Sequence, residues 1–236
     1  MLEWLARENP DVVCLQETKL EDHNFPLQQI ESNGYHAVFC GQKTYNGVAI
    51  LSRDPCLAVE QGIGEFQDPQ KRVISATVNG LRVICAYVPN GHSIASEKYQ
   101  YKLGWLNSFS KWLREESHKY SRIAVLGDFN IAPEDRDVHD PLAWQGQVLC
   151  SDAERTAFSE LIAVGFKDSF RLFEQPERLF SWWDYRMNAF RRKMGLRIDH
   201  ILLSDGLSKE CKSSGIDIAM RTNERPSDHA PVVATF

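Results

Sequence analysis

No apolar run in the 236 residues approaches the roughly 20 needed to cross a bilayer, so a transmembrane helix is excluded. The opening Met1-Leu2-Glu3-Trp4-Leu5-Ala6-Arg7 lacks the basic-then-apolar order of a secretory signal. There is no internal repeat, low-complexity tract or Pro/Gly/Ser linker, which makes a single domain over 1–236 the expectation. The six cysteines (14, 40, 56, 85, 150 and 211) form no C-x-x-C pair, so neither a zinc site nor a disulfide framework is expected. Cys14 and Cys85 sit within apolar runs, where a thiol behaves as a small hydrophobe, and the whole set fits reduced thiols in a cytosolic protein. Nothing resembles the glycine-rich strand-to-helix loop of an NTPase. An excess of positive charge is also missing: the formal charge is −5 and the pI near 5.8. That argues against a non-specific DNA coat, which would be basic overall. It leaves room for a nuclease, because a metal site concentrates carboxylates while nucleic-acid contacts need only a local basic surface.

Such a surface is present. The stretch Arg186-Met187-Asn188-Ala189-Phe190-Arg191-Arg192-Lys193-Met194-Gly195-Leu196-Arg197 carries five cations and no acid, and reads as an exposed basic loop. Around it the pattern is one of short strands and amphipathic helices. Leu2–Leu5 ends a helix that stops near Asn9-Pro10, because the residue before proline disfavours helical angles. Val12–Gln16 reads as a short buried strand, followed by strands over Tyr35–Cys40, Gly47–Ser52, Val73–Val78 and Leu81–Tyr87. The last two flank Asn79-Gly80, a type I′ hairpin signal because both residues tolerate positive φ. Leu103, Leu106, Phe109 and Leu113 recur three or four apart and predict a helix from Glu97 to about His118. Arg122–Gly127 is an apolar strand and Asp152–Ala163 a second amphipathic helix. Later strands are predicted over Ser181–Trp183, Arg197–Leu203, Gly215–Met220 and Pro231–Phe236. Many strands with helices between them imply packed sheets with helices outside.

Four polar clusters share one context, the edge of an apolar strand: Glu17, Asp128 with Asn130, Asp199, and Asp228-His229. Asp128 and Asn130 are two apart, so an extended chain points them to one side. Asp199 lies within a strand pattern that disfavours aspartate. A buried carboxylate costs several kcal/mol unless paired or metal-bound, and four such clusters suggest convergence on one polar cleft. Hard oxygen donors suit Mg²⁺ or Mn²⁺ rather than zinc. With a histidine available, the chemistry indicated is metal-assisted hydrolysis of a phosphate ester. By contrast, Glu134-Asp135-Arg136-Asp137-Val138-His139-Asp140 looks metal-like in composition but reads as a solvated loop.

The stretches Leu15-Gln16-Glu17-Thr18-Lys19, Tyr87-Val88-Pro89-Asn90-Gly91, Gly127-Asp128-Phe129-Asn130, Ser181-Trp182-Trp183-Asp184-Tyr185, Gly195-Leu196-Arg197-Ile198-Asp199 and Pro226-Ser227-Asp228-His229-Ala230-Pro231 occur in one order along nearly the whole chain. Together they resemble the exonuclease III and abasic-site endonuclease family. The resemblance implies an α/β fold, a four-layer sandwich of two packed, mostly antiparallel (mixed) β-sheets flanked by helices. It implies a nuclease that cuts 5′ to abasic sites and trims DNA 3′ ends with Mg²⁺, or Mn²⁺ in its place. On that resemblance Glu17 is the principal metal ligand and Asp228 an acid near metal and leaving group. Asp128 orients or deprotonates the attacking water, with Asn130 beside it in the phosphate site. Asp199 hydrogen-bonds His229 and favours its imidazolium, while Tyr87 contacts the scissile phosphate. Trp182, Leu196 and Ile198 form a small apolar pocket for a flipped-out abasic sugar, excluding a normal base by size. Lys19, Tyr45, Arg72, Asn90 and Arg186, with Arg191 and Arg192 of the basic loop, fall where the family touches DNA. The implied partner is double-stranded DNA with abasic sites or blocked 3′ ends, met by a cytoplasmic monomer that binds no membrane.

The family pattern opens with a β-strand ending in an asparagine that supports the metal site, and this sequence starts inside the helix that follows. An N-terminally truncated domain is therefore expected. Two other readings fit the same residues: a truncated DNA-binding form with impaired catalysis, and a phosphodiesterase of the same fold acting on another phosphoester.

Overall fold

In the computed structural model, which describes residues 1–236, the chain opens with helix α1 (Leu2–Glu8). Asn9 closes it in the left-handed region at φ 48°, its N–H bonded to Leu5 O, and Pro10 follows, as the sequence predicts. The residues form two compact units: Met1–Tyr87 with Arg122–Gly127, and Val88–Ser121 with Asp128–Phe236.

The first unit holds β1 (Val12–Gln16), α2 (Leu27–Ser32), β2 (His36–Cys40), β3 (Val48–Ser52), β4 (Leu57–Gln61), β5 (Val73–Val78), β6 (Leu81–Tyr87) and all but the last residue of β7 (Ile123–Asp128). One sheet runs β1-β3-β2, and β4-β5-β6-β7 lie side by side in that order. The pairs β1–β3, β2–β3, β4–β5 and β5–β6 are all antiparallel. Asn79 and Gly80 carry φ 48° and 76° at the β5–β6 turn, the positive pair that a type I′ hairpin needs. Val48 and Ile50 of β3 meet Ile74, Ala76, Val83 and Cys85 in one apolar cluster, so the two sheets bury their inner faces against each other. Leu5, Ile30, Tyr35 and Leu51 form a second cluster, through which α1 and α2 cover the sheet's other face. Each such aliphatic chain contributes about 1.5–3 kcal/mol by leaving water. Two expectations change. β1 is half-buried rather than buried, because it pairs only with β3. β4 had no sequence signal: all five of its residues are exposed, so no apolar face betrays it.

The second unit holds α3 (Glu97–Lys119), α4 (Pro141–Trp144), α5 (Asp152–Ala163), β8 (Phe166–Asp168), β9 (Asp199–Ser204), α6 (Asp205–Ser208), β10 (Ser213–Ile216) and β11 (Val232–Thr235). Ser96 and Ser151 cap α3 and α5, and Glu154 completes a capping box at the latter. Leu106, Phe109 and Leu113 are buried as their spacing predicts, and Leu103 is half-buried. β8 pairs antiparallel with β9, and β10 with β11. Ser181–Trp183 is not a strand. Trp182 makes only isolated bridges, to Leu196 and to His229. The strand expected over Gly215–Met220 is β10, four residues earlier at its end, and Ile218–Thr222 turns into a short 3₁₀ helix that Asp217 caps.

The segment Glu134–Asp140 is not a solvated loop at its centre. Asp137 is 1 % exposed and accepts from Arg197 Nε at 2.7 Å and from Arg171. Arg197 also pairs with Asp168 at 2.8 Å. Arg197 thus leaves the basic surface expected of it and becomes the centre of a buried ion network. A lone buried cation would be costly, and two carboxylates compensate it here.

Candidate active site

Two groups of site residues are formed, one in each unit. In the first unit Glu17 follows the end of β1, and both it and Lys19 adopt φ 54°. Positive φ is uncommon outside glycine and asparagine, and such outliers gather at functional sites. Two backbone bonds hold this turn, Thr18 N to Gly47 O at 3.2 Å and Lys19 N to Asn46 O at 2.9 Å. Lys19 Nζ lies 2.8 Å from Glu17 Oε2, and Tyr87 at the end of β6 donates its hydroxyl to Glu17 Oε1. Arg72 stacks over the Tyr87 ring at 4.8 Å and donates from Nη1 to Tyr87 O at 3.1 Å. Tyr45 is exposed. Gly127 at the end of β7 has a structural reason for being glycine, since a Cβ there would fall 1.8 Å from Ala86 O.

In the second unit Asp128 and Asn130 meet through a turn rather than along an extended chain. Asn130 takes φ 50°, and its backbone N–H and Nδ2 donate to the two Asp128 oxygens at 2.8 and 2.9 Å. Asn130 Nδ2 also donates to Val88 O, and Asn90 Nδ2 donates to Asn130 Oδ1 at 2.9 Å. The Asp128 carboxylate is therefore immobilised from its own side of the turn. Asp199 opens β9, and His229 Nδ1 donates to its two oxygens at 3.0 and 2.9 Å. Ser181 Oγ accepts from the Ile198 and Asp199 N–H groups, and Ser181 O accepts from Ala230 N. That double contact sets the distance between Asp199 and the segment that carries His229. Asp228 Oδ2 accepts from Trp182 Nε1 at 3.0 Å.

Asp128, Asp199 and His229 each place an oxygen or nitrogen within 4.8 Å of the others. Burial pushes the Asp128 carboxyl up to about 7; the neighbouring Asp199 adds to this, while His229 and Lys102 oppose it. Burial works against a charged His229, yet Asp199, then Asp128 and Asp228, outweigh it and raise the imidazole to about 10. Near neutral pH the site thus holds an imidazolium beside a carboxyl poised between its two forms. A protonated imidazole does not ligate a metal. The carboxylate oxygens do fit a hard cation, Mg²⁺ or Mn²⁺.

Leu196 and Ile198 are buried in one apolar cluster with Ala132, Val138, Leu149 and Cys150, and half-buried Trp182 packs against it. Arg186 is exposed and held by Asp184, with Nη2 2.7 Å from Oδ2, while Arg191 and Arg192 stand exposed. Two buried groups escaped the sequence reading. Lys102 donates from Nζ to Asn130 O at 2.7 Å, to Asn90 O at 3.1 Å and to Glu154 Oε1 at 2.5 Å, with both ionic side chains fully buried. A lysine within the apolar stripe of α3 was the available signal. His200 is buried, bonded to Ile131 O at 2.9 Å, and lowered by burial and by Arg197 to about 4. It is a neutral structural histidine, unlike His229.

Clustered carboxylates, an Asp-oriented imidazolium and an asparagine-locked aspartate have the chemistry that hydrolysis of a phosphate ester needs. The chain belongs to the endonuclease/exonuclease/phosphatase family, whose model matches residues 1–229. It is 38 % identical over 245 residues to exodeoxyribonuclease III of Haemophilus influenzae, covering 98 % of this chain and 92 % of that protein. Among solved structures, the 3′ phosphatase NExo from Neisseria, in a variant bound to product DNA hairpin, superposes with a TM-score of 0.97 at 44 % identity, covering 99 % of this chain and 91 % of that one. An AP endonuclease from Archaeoglobus fulgidus gives 0.95 at 38 % identity, covering 100 % and 92 %. The fold expected from the sequence is the one these structures share.

Proposed function

We propose that the protein is a Mg²⁺-dependent DNA repair nuclease that hydrolyses phosphodiesters 5′ to abasic sites and trims DNA 3′ ends. The observation that carries the reading is the pairing of an Asp128 poised near neutrality with an Asp199-held His229 imidazolium. Asp128 accepts the proton of the attacking water, and Asn130 keeps its carboxylate in register for that transfer. His229 places positive charge and a proton at a phosphoryl oxygen as negative charge develops there. Glu17 and Asp228 supply hard oxygens to the metal, and Tyr87 contacts the scissile phosphate. When bound, the ion supplies Lewis-acid polarisation of the phosphoryl group. Trp182, Leu196 and Ile198 accept the extruded abasic sugar. Lys19, Tyr45, Arg72, Asn90, Arg186, Arg191 and Arg192 hold the duplex. The chain works as one catalytic domain, a monomer in the cytoplasm, and Mn²⁺ substitutes for Mg²⁺.

Support comes from the family match, from relatives named as exodeoxyribonuclease III and AP endonuclease, and from the 3′ phosphatase solved with product DNA. The test is incision of a duplex with one abasic site, run beside a duplex with a 3′-phosphate end, with Mg²⁺ and with EDTA. Cleavage that vanishes with EDTA and returns with Mg²⁺ is expected on both substrates. Robust incision without a divalent ion would refute the metal assignment, and activity confined to the 3′ end would refute the abasic one.

A further inference from the structure

The basic loop meets a buried cation that none of the roles above uses. Arg221, in the 3₁₀ turn Ile218–Thr222, is only 7 % exposed, and its side chain makes no hydrogen bond and no salt bridge. Its Nε and Nη1 are shut off from solvent without an acceptor. The guanidinium is caged instead by three rings, with Phe190 at 5.0 Å and Trp183 and Tyr185 each at 5.8 Å. Ring faces attract a cation but accept few of its N–H groups. Burial accordingly lowers the arginine's pKa, with Asp228 and Tyr185 opposing. An unpaired buried guanidinium is costly, so Arg221 stands out as a charge whose remaining open donor is free for a ligand.

Arg221 lines a cavity of about 230 Å³ together with Asp184, Tyr185, Asn188, Phe190 and Arg191. At on the order of 30 Å³ per water, that is room for a phosphate group and its adjoining sugar atoms. The one acid on the wall, Asp184, is already neutralised by the two-pronged contact from Arg186. Arg191 and Asn188 are exposed on the rim, and neither makes a side-chain bond. The free charge facing the cavity is positive, and Arg221 meets it through Nη2, the guanidinium nitrogen not shut off from solvent, a charge-assisted donor suited to a phosphate oxygen.

We propose that this cavity seats a backbone phosphate of the bound DNA strand, with Arg221, Arg191 and Asn188 as its donors. The assignment rests on the nuclease reading and adds a positioning subsite to it. Duplex binding is measured by fluorescence anisotropy in EDTA, where cleavage is not required. Single neutral methylphosphonate linkages are placed in turn along both strands. One position should cost the wild type about tenfold in affinity, the worth of one charge-assisted hydrogen bond. R221Q should bind unmodified duplex about tenfold more weakly and lose the penalty at that position alone. R221K keeps the cation over the rings and is read in the same scan, so a failure of R221Q to fold leaves the test in place. A purely structural arginine would leave every positional penalty as in the wild type in the folded variants, and that result overturns the proposal. So does a flat wild-type scan, or a thermal shift with inorganic phosphate that R221Q abolishes without changing the scan, which would assign the seat to free phosphate. A chain that shows the coupled position but never cleaves would refute the nuclease reading and leave the phosphate seat intact.

Discussion

Replacing Asp199 by asparagine removes the charge that holds His229 protonated while keeping an acceptor within reach of Nδ1. The wild-type contacts are 2.9 and 3.0 Å, between side chains that are 13 % and 29 % exposed. Two unit charges about 4 Å apart interact by roughly 4 kcal/mol at an effective dielectric of about 20. Partial exposure of the imidazole screens that to about 2 kcal/mol, or roughly 1.5 pH units. His229 should therefore titrate near 8.5 in D199N instead of about 10. In single-turnover incision across a pH series, the alkaline limb should move down by that amount. The ratio of wild-type to D199N rates should be about tenfold near pH 7, from poorer ring orientation, and should grow as pH rises toward about 9.5. Stability follows the same sign. A histidine raised on folding contributes fully below its unfolded value, near 6.5, and loses that contribution as pH rises toward about 10. D199N should thus lose most stability at and below neutral pH. A rate ratio that is flat with pH would refute the imidazolium assignment, whatever its size.

D128N should lose at least about 10³-fold in rate, because Asn130 then orients a group that cannot take a proton. Its stability should move the other way. Folding raises the Asp128 carboxyl to about 7, so the wild type loses stability as pH climbs from about 4 through 7, and D128N should melt higher near pH 8 but not near pH 5. K102M strands Glu154 as a buried unpaired charge and should cost about 3–5 kcal/mol in urea unfolding, with E154L in the same chain restoring much of it. Y87F removes the hydroxyl donated to Glu17; it should weaken Mg²⁺ activation about tenfold or more with little change in melting temperature, read from the Mg²⁺ dependence of the rate.

Elements with strong periodicity were legible because local physics decides them. Helices α3 and α5 carry a full apolar stripe and serine caps, and the Asn79-Gly80 hairpin needs only two positive φ values. β4 was not legible, since nothing in its exposed residues distinguishes an edge strand from a loop. Ser181–Trp183 misled for the opposite reason: its apolar run is buried by single bridges to Leu196 and His229 rather than by a ladder.

The residue types of the site were likewise present in the sequence: Glu17, Asp128, Asn130, Asp199 and His229, each beside an apolar strand and each with a chemistry that suits a hard metal and a phosphate. Tertiary structure decided which charges are spent and which are free. Arg197 and Asp137 look like surface charges in sequence but neutralise each other in the interior, whereas Arg221 carries no sequence signal and is left buried without a salt bridge. Asp199-His200 and Asp228-His229 are identical dipeptides, yet His200 is held near 4 and His229 near 10. Composition is common to both pairs. His200 is lowered first by full burial and then by Arg197 at its Nδ1, whereas His229 lies bonded to Asp199 with Asp128 and Asp228 near, and only the packing of distant segments sets that.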